Sequence, residues 1–338
     1  MSSLLITNEN IYEIRNLSVR FPSHQSILGF KTKYIEVLSS ISFDVKRNEI
    51  LGIVGESGCG KSTIAKSLLS LLKFETPYVK IDGSLQYKGK DSVIEILKCS
   101  EKQLGSFRKE VQIIFQDPAT SLNPKLTVEA IVKEPMIVHK IYKAVELDKK
   151  FCFLLEKVGL NSDLKNKYPY ELSGGQKQRI MLARALATNP SVLIADEPLS
   201  ALDVSIQAQI LNLFVQLQKE FKLTIIIISH DLSVIKYLCD RIIVMYLGSI
   251  VEMGESETLY NTPLHPYTKG LISAIPSVSK SALGNSNIRL TGEIPSLSKK
   301  PEGCVFYSRC PLKEKICKSS VPALDEKRDA QWVACHLV

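Results

Sequence analysis

The sequence predicts an α/β fold: a mixed, largely parallel sheet core, an antiparallel β lobe ahead of it, a helical subdomain within it and an extension behind it. Three observations carry this expectation. Residues 50–54 form a short β-branched run, followed by a glycine-rich turn and then by apolar residues at helical spacing over 63–72. Over 191–244, apolar strand-like runs alternate with a helical stretch at 205–221, the order expected of parallel strands joined by helices. Between these regions the pattern is helical alone, with Val128, Ile131 and Val132, then Phe151, Leu154, Leu155 and Val158 on helical faces.

Taken in order, the β lobe occupies roughly the first 110 residues, where Ile41-Ser42-Phe43-Asp44-Val45 alternates as a strand with one exposed face. Asp82-Gly83-Ser84 and Lys88-Gly89-Lys90 read as turns between short strands. The run at 50–54 leads into Gly55-Glu56-Ser57-Gly58-Cys59-Gly60-Lys61-Ser62, a full match to the phosphate-loop pattern, with Thr63 continuing into the helix. The glycines let successive N–H groups turn inward toward phosphate oxygens. Lys61 adds a point charge and the Ser62 hydroxyl suits Mg²⁺. A chance glycine-rich turn would lack this strand–loop–helix setting. Cys59 needs no function of its own, because the loop works through its backbone, although oxidation of a thiol there would disturb nucleotide binding.

Three further strands are expected to end beside this loop, where α/β sheets bind ligands. Ser191-Val192-Leu193-Ile194-Ala195-Asp196-Glu197 finishes in two acids. Asp196 would hold Mg²⁺ and Glu197 would orient or deprotonate the attacking water. An acid pair introducing the next helix, with Pro198 after it, is the plainer alternative. His230 follows a run at 223–228 and reads as a phosphate contact, although a lone histidine there is often a structural hydrogen-bonder. Gln116, after Ile113-Ile114-Phe115, can reach the metal or the water; alone it would say nothing. Leu172-Ser173-Gly174-Gly175-Gln176 opens a helix with free N–H groups and the positive end of its dipole, which serves an ordinary N-cap or an anion site.

Length and composition set bounds. At 338 residues and 45% hydrophobic, the chain can bury a large core. Apolar runs such as 225–228 fall far below the roughly 18 residues of a membrane span, and residues 1–10 lack the pattern of a secretion signal. A protein facing the cytosol is expected. The formal charge of +8 comes from scattered lysines without a compact basic tract or interleaved aromatics, so nucleic acid is not the expected partner.

As a set and in this order, the phosphate loop, Gln116, Leu172 to Gln176, Asp196-Glu197, Ser200-Ala201-Leu202-Asp203 and His230 resemble the ATP-binding cassette ATPases. The resemblance implies two cassettes joined head to tail, with ATP between the phosphate loop of one and Ser173, Gly174, Gly175 and Gln176 of the other. Asp203 would then lie at the interface, and the groove by the helical subdomain would receive a helix of a membrane partner. Phe115 to Pro124, Leu264-His265-Pro266-Tyr267-Thr268-Lys269 and the tail from Gly292 resemble the peptide and nickel importer subfamily. The insertion between Phe21 and Val37, with Phe30 and Tyr34, looks most like the second of its two paralogous ATPases. Phe21 is the candidate adenine-stacking aromatic; a core role is the alternative.

The resemblance divides the chain into a cassette over 1–261, with a helical subdomain at about 120–189, and an extension over 262–338. Four of the eight cysteines, Cys304, Cys310, Cys317 and Cys335, fall in that extension. Their spacing is wider than the short pairs of zinc sites. Four thiolates from an irregular loop suit an iron–sulfur cluster, and related tails carry a [4Fe–4S] cluster. Zinc, His336 as a ligand, and reduced thiols packed as small apolar groups stay open. The resemblance implies an ATP-hydrolysing subunit, using ATP and Mg²⁺, that energises peptide import on the cytoplasmic face of the membrane. Its partners would be a second, non-identical ATPase, two permease subunits and an extracytoplasmic binding protein. Nickel or antimicrobial-peptide transport, and more remotely a soluble ATPase acting on nucleic acid or ribosomes, are the competing readings.

Overall fold

The computed structural model describes residues 10–23, 33–76, 78–90, 92–200, 202–275 and 290–338. Phe30, Ala201 and residues 1–9, singled out in the sequence, lie outside these. Among the described residues twelve strands run in chain order: β1 (Asn10–Pro22), β2 (Tyr34–Lys46), β3 (Ile50–Val54), β4 (Lys80–Lys88), β5 (Val93–Glu95), β6 (Val111–Ile114), β7 (Val192–Asp196), β8 (Thr224–Ser229), β9 (Arg241–Tyr246), β10 (Ser249–Glu255), β11 (Asp325–Arg328) and β12 (Gln331–Val333). They form a four-stranded antiparallel lobe, β2-β1-β4-β5, and an eight-stranded mixed sheet, β11-β12-β10-β9-β3-β8-β7-β6.

The centre of the mixed sheet is parallel: β3 pairs with both β8 and β9, β7 with β8, and β6 with β7. Its strands are mostly apolar, as expected where both faces are covered. Alternate residues of β8 divide between two cores: Ile225 and Ile227 pack with the helices, while Ile226 and Ile228 pack against the β lobe. The helix Lys61–Leu68 buries Ile64, Ala65 and Leu68 against the lobe side. The helices Val128–Val138, Ala144–Lys157 and Gly174–Leu186 form one cluster on the other side.

One local expectation needs correction. Asp82-Gly83-Ser84 is not a turn: it lies inside β4, where the register with β1 shifts between Arg15 and Ser18. Gly83 has φ +109°, and a Cβ there would stand 2.6 Å from the Asn16 carbonyl, so the glycine marks a bulge. The extension is joined to the core sheet. Its strand β12 pairs with β10, opposing Val333 to Glu252 and Trp332 to Met253, so the extension continues the core sheet. Glu252, fully buried, accepts from the backbone of Leu264 and His265 and from Gln331, at 2.8, 2.9 and 2.8 Å. These bonds tie the sheet to the segment entering the helix Pro266–Ser273.

Candidate active site

β3, β6, β7 and β8 bring their C-terminal ends to one edge of the sheet. Ser57, Gly58, Gly60, Lys61, Ser62, Thr63, Gln116, Glu197 and His230 line a cleft of about 400 Å³ there, together with Val37. Residues from five separate stretches of sequence therefore share one cavity.

The phosphate loop passes directly from β3 into the helix Lys61–Leu68, with Gly60 as N-cap at φ +105°. A side chain at Gly60 would be strained in that conformation and would meet Leu38 at 2.7 Å. Lys61 is buried, and its ammonium donates to the carbonyls of Gly55 and Glu56 at 2.7 and 3.1 Å. Its charge is thus fixed over the floor of the cleft, with the helix N-terminus behind it. Cys59 is also buried, and burial pushes its thiol up despite the nearby Lys61 charge. That protonated, enclosed thiol does not fit the expected oxidation site.

The Ser62 hydroxyl donates to Asp196 at 3.1 Å. Burial pushes the Asp196 carboxyl up; the Ser62 hydrogen bond opposes this and the Glu197 charge adds to it. A carboxylate taken partly out of water beside a hydroxyl is a hard oxygen donor pair, and these residues fit Mg²⁺. Mg²⁺ in such sites keeps several waters and substrate phosphates, so two protein oxygens suffice.

Glu197 follows β7 with φ +46°, in the left-handed region, and its N–H donates to the Ile228 carbonyl at 2.9 Å. A non-glycine residue held there is a strained backbone of the kind found at functional sites. Its carboxylate accepts from Gln116 at 3.0 Å and lies 3.3 Å from Nδ1 of His230. Gln116 and His230 therefore converge on one oxygen, Oε2, in a cleft open to solvent.

Ser173 to Gln176 are not among the residues lining this cleft. Ser173 caps the helix Gly174–Leu186 in a reciprocal capping box with Gln176, at 3.0 and 3.3 Å, and Ser173 and Gly174 are exposed. Gly174 and Gly175 face Leu202 and Ile206, which flank the exposed Asp203. A Cβ on Gly175 would approach Ile206 to 3.0 Å. The pentapeptide is therefore an N-cap, with Ser173 and Gly174 exposed and Gly175 buried against Ile206.

Phe21 sits opposite Ile35 in the lobe and packs, half-buried, on the lobe core; Val37, not Phe21, lines the cleft. A second groove of about 320 Å³ lies between β6 and the helical cluster, with Phe115, Glu134, Val138, His139 and Arg184 in its wall. Val138 is 68% exposed and Phe115 38%.

In the tail, Cys304, Cys310 and Cys317 are buried in one cluster with Phe306, while Cys335 is half-buried. Burial pushes Cys304 up to about 11, with Cys317, Cys335 and Cys310 adding to the effect. Cys310 and Cys335 are raised in the same way. Among the described residues, however, no three His, Cys, Asp or Glu side chains stand where one ion could be held. The thiols meet without coordinating, and His336 is turned to the Ser320 carbonyl at 2.9 Å. Two residues that sequence reasoning passed over touch the phosphate loop from this side: Tyr267, whose hydroxyl accepts from the Glu56 N–H at 3.0 Å, and Arg309, paired with the Glu56 carboxylate. Tyr267 stood in a quoted motif without a role, and nothing in the tail's spacing marked Arg309.

Comparison with known proteins agrees with this architecture. The family model of ABC transporters matches residues 38–200, and that of the oligopeptide/dipeptide transporter C-terminal region matches 251–317. The chain is 45% identical to the oligopeptide transport ATP-binding protein AppF of Bacillus subtilis, over 97% of this chain and 98% of the relative. It is 41% identical to the oligopeptide transport ATP-binding protein OppF of Haemophilus influenzae, over 97% of each. Among solved structures, a dimeric ATP-binding cassette in a post-hydrolysis state, bound to ADP and Pi, superposes with a TM-score of 0.59 at 27% identity, covering 72% of this chain and 98% of that one.

Proposed function

The chain belongs to the ATP-binding cassette ATPases of the oligopeptide transporter type, and from that premise we propose that it hydrolyses ATP to energise the import of peptides across a membrane. The observation that carries the chemistry is the Glu197 carboxylate, held by Gln116 and His230 over a cleft floored by Lys61 and Ser62.

The residues divide the work as follows. Backbone N–H groups of the loop and the Lys61 ammonium receive the β- and γ-phosphates. Ser62 and Asp196 are the protein's oxygen donors for Mg²⁺, which when bound neutralises charge developing on the phosphates. Glu197 accepts a hydrogen bond from the attacking water, or takes its proton; Gln116 and His230 fix the carboxylate that does so. His230 lines the same cleft as Lys61 and Ser62, which supports its reading as a phosphate contact.

We read the site as half of a composite one. Ser173 and Gly174 are exposed at the start of their helix, with Gly175 buried just behind them, which supports a role for this turn as a phosphate clamp for a second cassette, with the exposed Asp203 beside it at the interface. The groove walled by Phe115 and Val138 supports docking of a permease helix, because it joins β6, just ahead of Gln116, to the helical cluster. Nucleotide-driven motion at Gln116 would reach the membrane partner through that wall. Among the described residues no helix is long and apolar enough to cross a membrane, in keeping with a peripheral subunit on two permeases, with a paralogous ATPase and a binding protein outside. A cassette over 1–261, with its helical subdomain at about 120–189, and an extension over 262–338 remain our division of the chain.

For the tail, the convergence of four thiols supports an iron–sulfur cluster, and their failure to stand at coordinating distance supports packed thiols. Iron and acid-labile sulfide measured on anaerobically purified protein separate the two. For transport, a strain lacking the chain should lose uptake of a labelled oligopeptide and regain it with the wild-type chain but not with Glu197→Gln. Unchanged peptide uptake, with loss of nickel uptake instead, would overturn the cargo assignment.

A further inference from the structure

The phosphate loop carries an acid of its own. Glu56 is the second residue of the loop, and an unpartnered carboxylate there would repel the triphosphate that the loop's N–H groups and Lys61 attract. The extension supplies the answer. Arg309 meets Glu56 with both arms of its guanidinium, Nη1 to Oε2 at 2.6 Å and Nη2 to Oε1 at 3.0 Å, across 253 residues of sequence. The side chains are 6% and 23% exposed, so water screens the pair little. Planar two-point geometry of this kind fixes the direction of the carboxylate as well as its charge.

Arg309 is itself held. Its Nε donates to the Thr291 carbonyl at 3.3 Å and its backbone N–H to the Phe306 carbonyl at 3.1 Å. Phe306 is fully buried against Tyr246 and Tyr267, with ring centroids 5.2 and 5.4 Å away. The Tyr267 hydroxyl accepts the Glu56 N–H, and Tyr246 lies 3.4 Å from Nη1 of Arg309. Side chain and main chain of Glu56 are thus both gripped by the extension.

We propose that Arg309 is a positioning residue of the nucleotide site: it cancels the Glu56 charge beside the triphosphate and holds the loop in its receiving shape. This rests on the phosphate loop being the ATP site. The extension is then a working part of the cassette, since nucleotide affinity depends on its fold.

The test is titration of the full chain with the fluorescent analogue mant-ATP and Mg²⁺, alongside thermal melting of each variant. Arg309→Met should weaken binding by about tenfold, leaving a free carboxylate in the loop. Arg309→Lys, which keeps the charge but loses the fork, should fall between. The distinguishing outcome is rescue: in the double variant Arg309→Met/Glu56→Gln, binding should return to within about twofold of wild type, because there is no charge left to cancel. A tail that merely braced the fold would not be repaired by a change in the loop. Wild-type affinity in Arg309→Met, or weak binding that persists in the double variant, would overturn the proposal. Should Arg309→Met lose its cooperative melt, Arg309→Gln with and without Glu56→Gln carries the same comparison. Failure of the wild-type chain to bind mant-ATP would instead sink the ATP-site reading beneath it.

Discussion

The Gln116 amide donates to the Glu197 carboxylate at 3.0 Å, joining the ends of two adjacent parallel strands, β6 and β7. The bond links the residue placed to handle water with the one that leads toward the helical cluster. A glutamine at 197 would keep the size and much of the bonding of this contact while losing its basicity. Glu197→Gln should therefore bind ATP as wild type does and hydrolyse it at least about a hundredfold more slowly. Phosphate release and mant-ATP titration on the same preparation check this, and wild-type turnover would remove Glu197 from its role.

Lys61→Ala should act at the opposite end of the reaction. The ammonium contributes charge to the phosphates and donates to the carbonyls of Gly55 and Glu56, so its loss weakens attraction and loosens the loop together. Nucleotide affinity should fall by more than about tenfold. Equilibrium titration is the measurement, and unchanged affinity would count against the whole site.

Ser173→Ala separates the two roles of the pentapeptide. Losing the cap should cost about 1 kcal/mol of stability, seen as a small drop in melting temperature. If Ser173 also clamps phosphate for a partner, ATP-dependent pairing of cassettes in the Glu197→Gln background should fall while mant-ATP binding to the single chain holds. Sizing chromatography with and without ATP distinguishes this from a cap alone, which would leave pairing intact.

Much of this site was legible in the sequence because each piece combines an apolar strand with a polar residue at its C-terminal end. Ile53 and Val54 before the loop, Ile194 and Ala195 before Asp196, and Ile227 and Ile228 before the turn to His230 all follow that rule. Parallel strands buried on both faces leave a plain trace. Gly83 was misread because a glycine that permits a bulge and one that permits a turn are the same residue; only pairing with Asn16 and its neighbours decides. Arg309 was invisible for a different reason. Its partner is 253 residues away, and an arginine in a lysine-rich tail carries no local periodicity. Phe21 had two readings, adenine stacking and a core role; the pairing of β1 with β2 packs it half-buried on the lobe core, which favours the second.

The extension should also set how the fold responds to acid. His265 is 1% exposed, and burial, aided by the Lys269 charge, lowers its imidazole from 6.5 to about 3. Its Nδ1 accepts the Tyr267 N–H at 3.1 Å as the cap of the helix Pro266–Ser273, which only the neutral ring can do. The unfolded chain takes up a proton near pH 6.5 and the folded chain does not, so the contribution of His265 is fully present above 6.5 and lost progressively as pH falls toward 3. Glu252 runs the other way: burial raises its carboxyl, so acidification relieves rather than adds cost there. His265→Asn keeps a cap acceptor without the titration. Between pH 7 and pH 5 the melting temperature of wild type should fall more steeply than that of His265→Asn. Parallel profiles would show that another group governs the acid response.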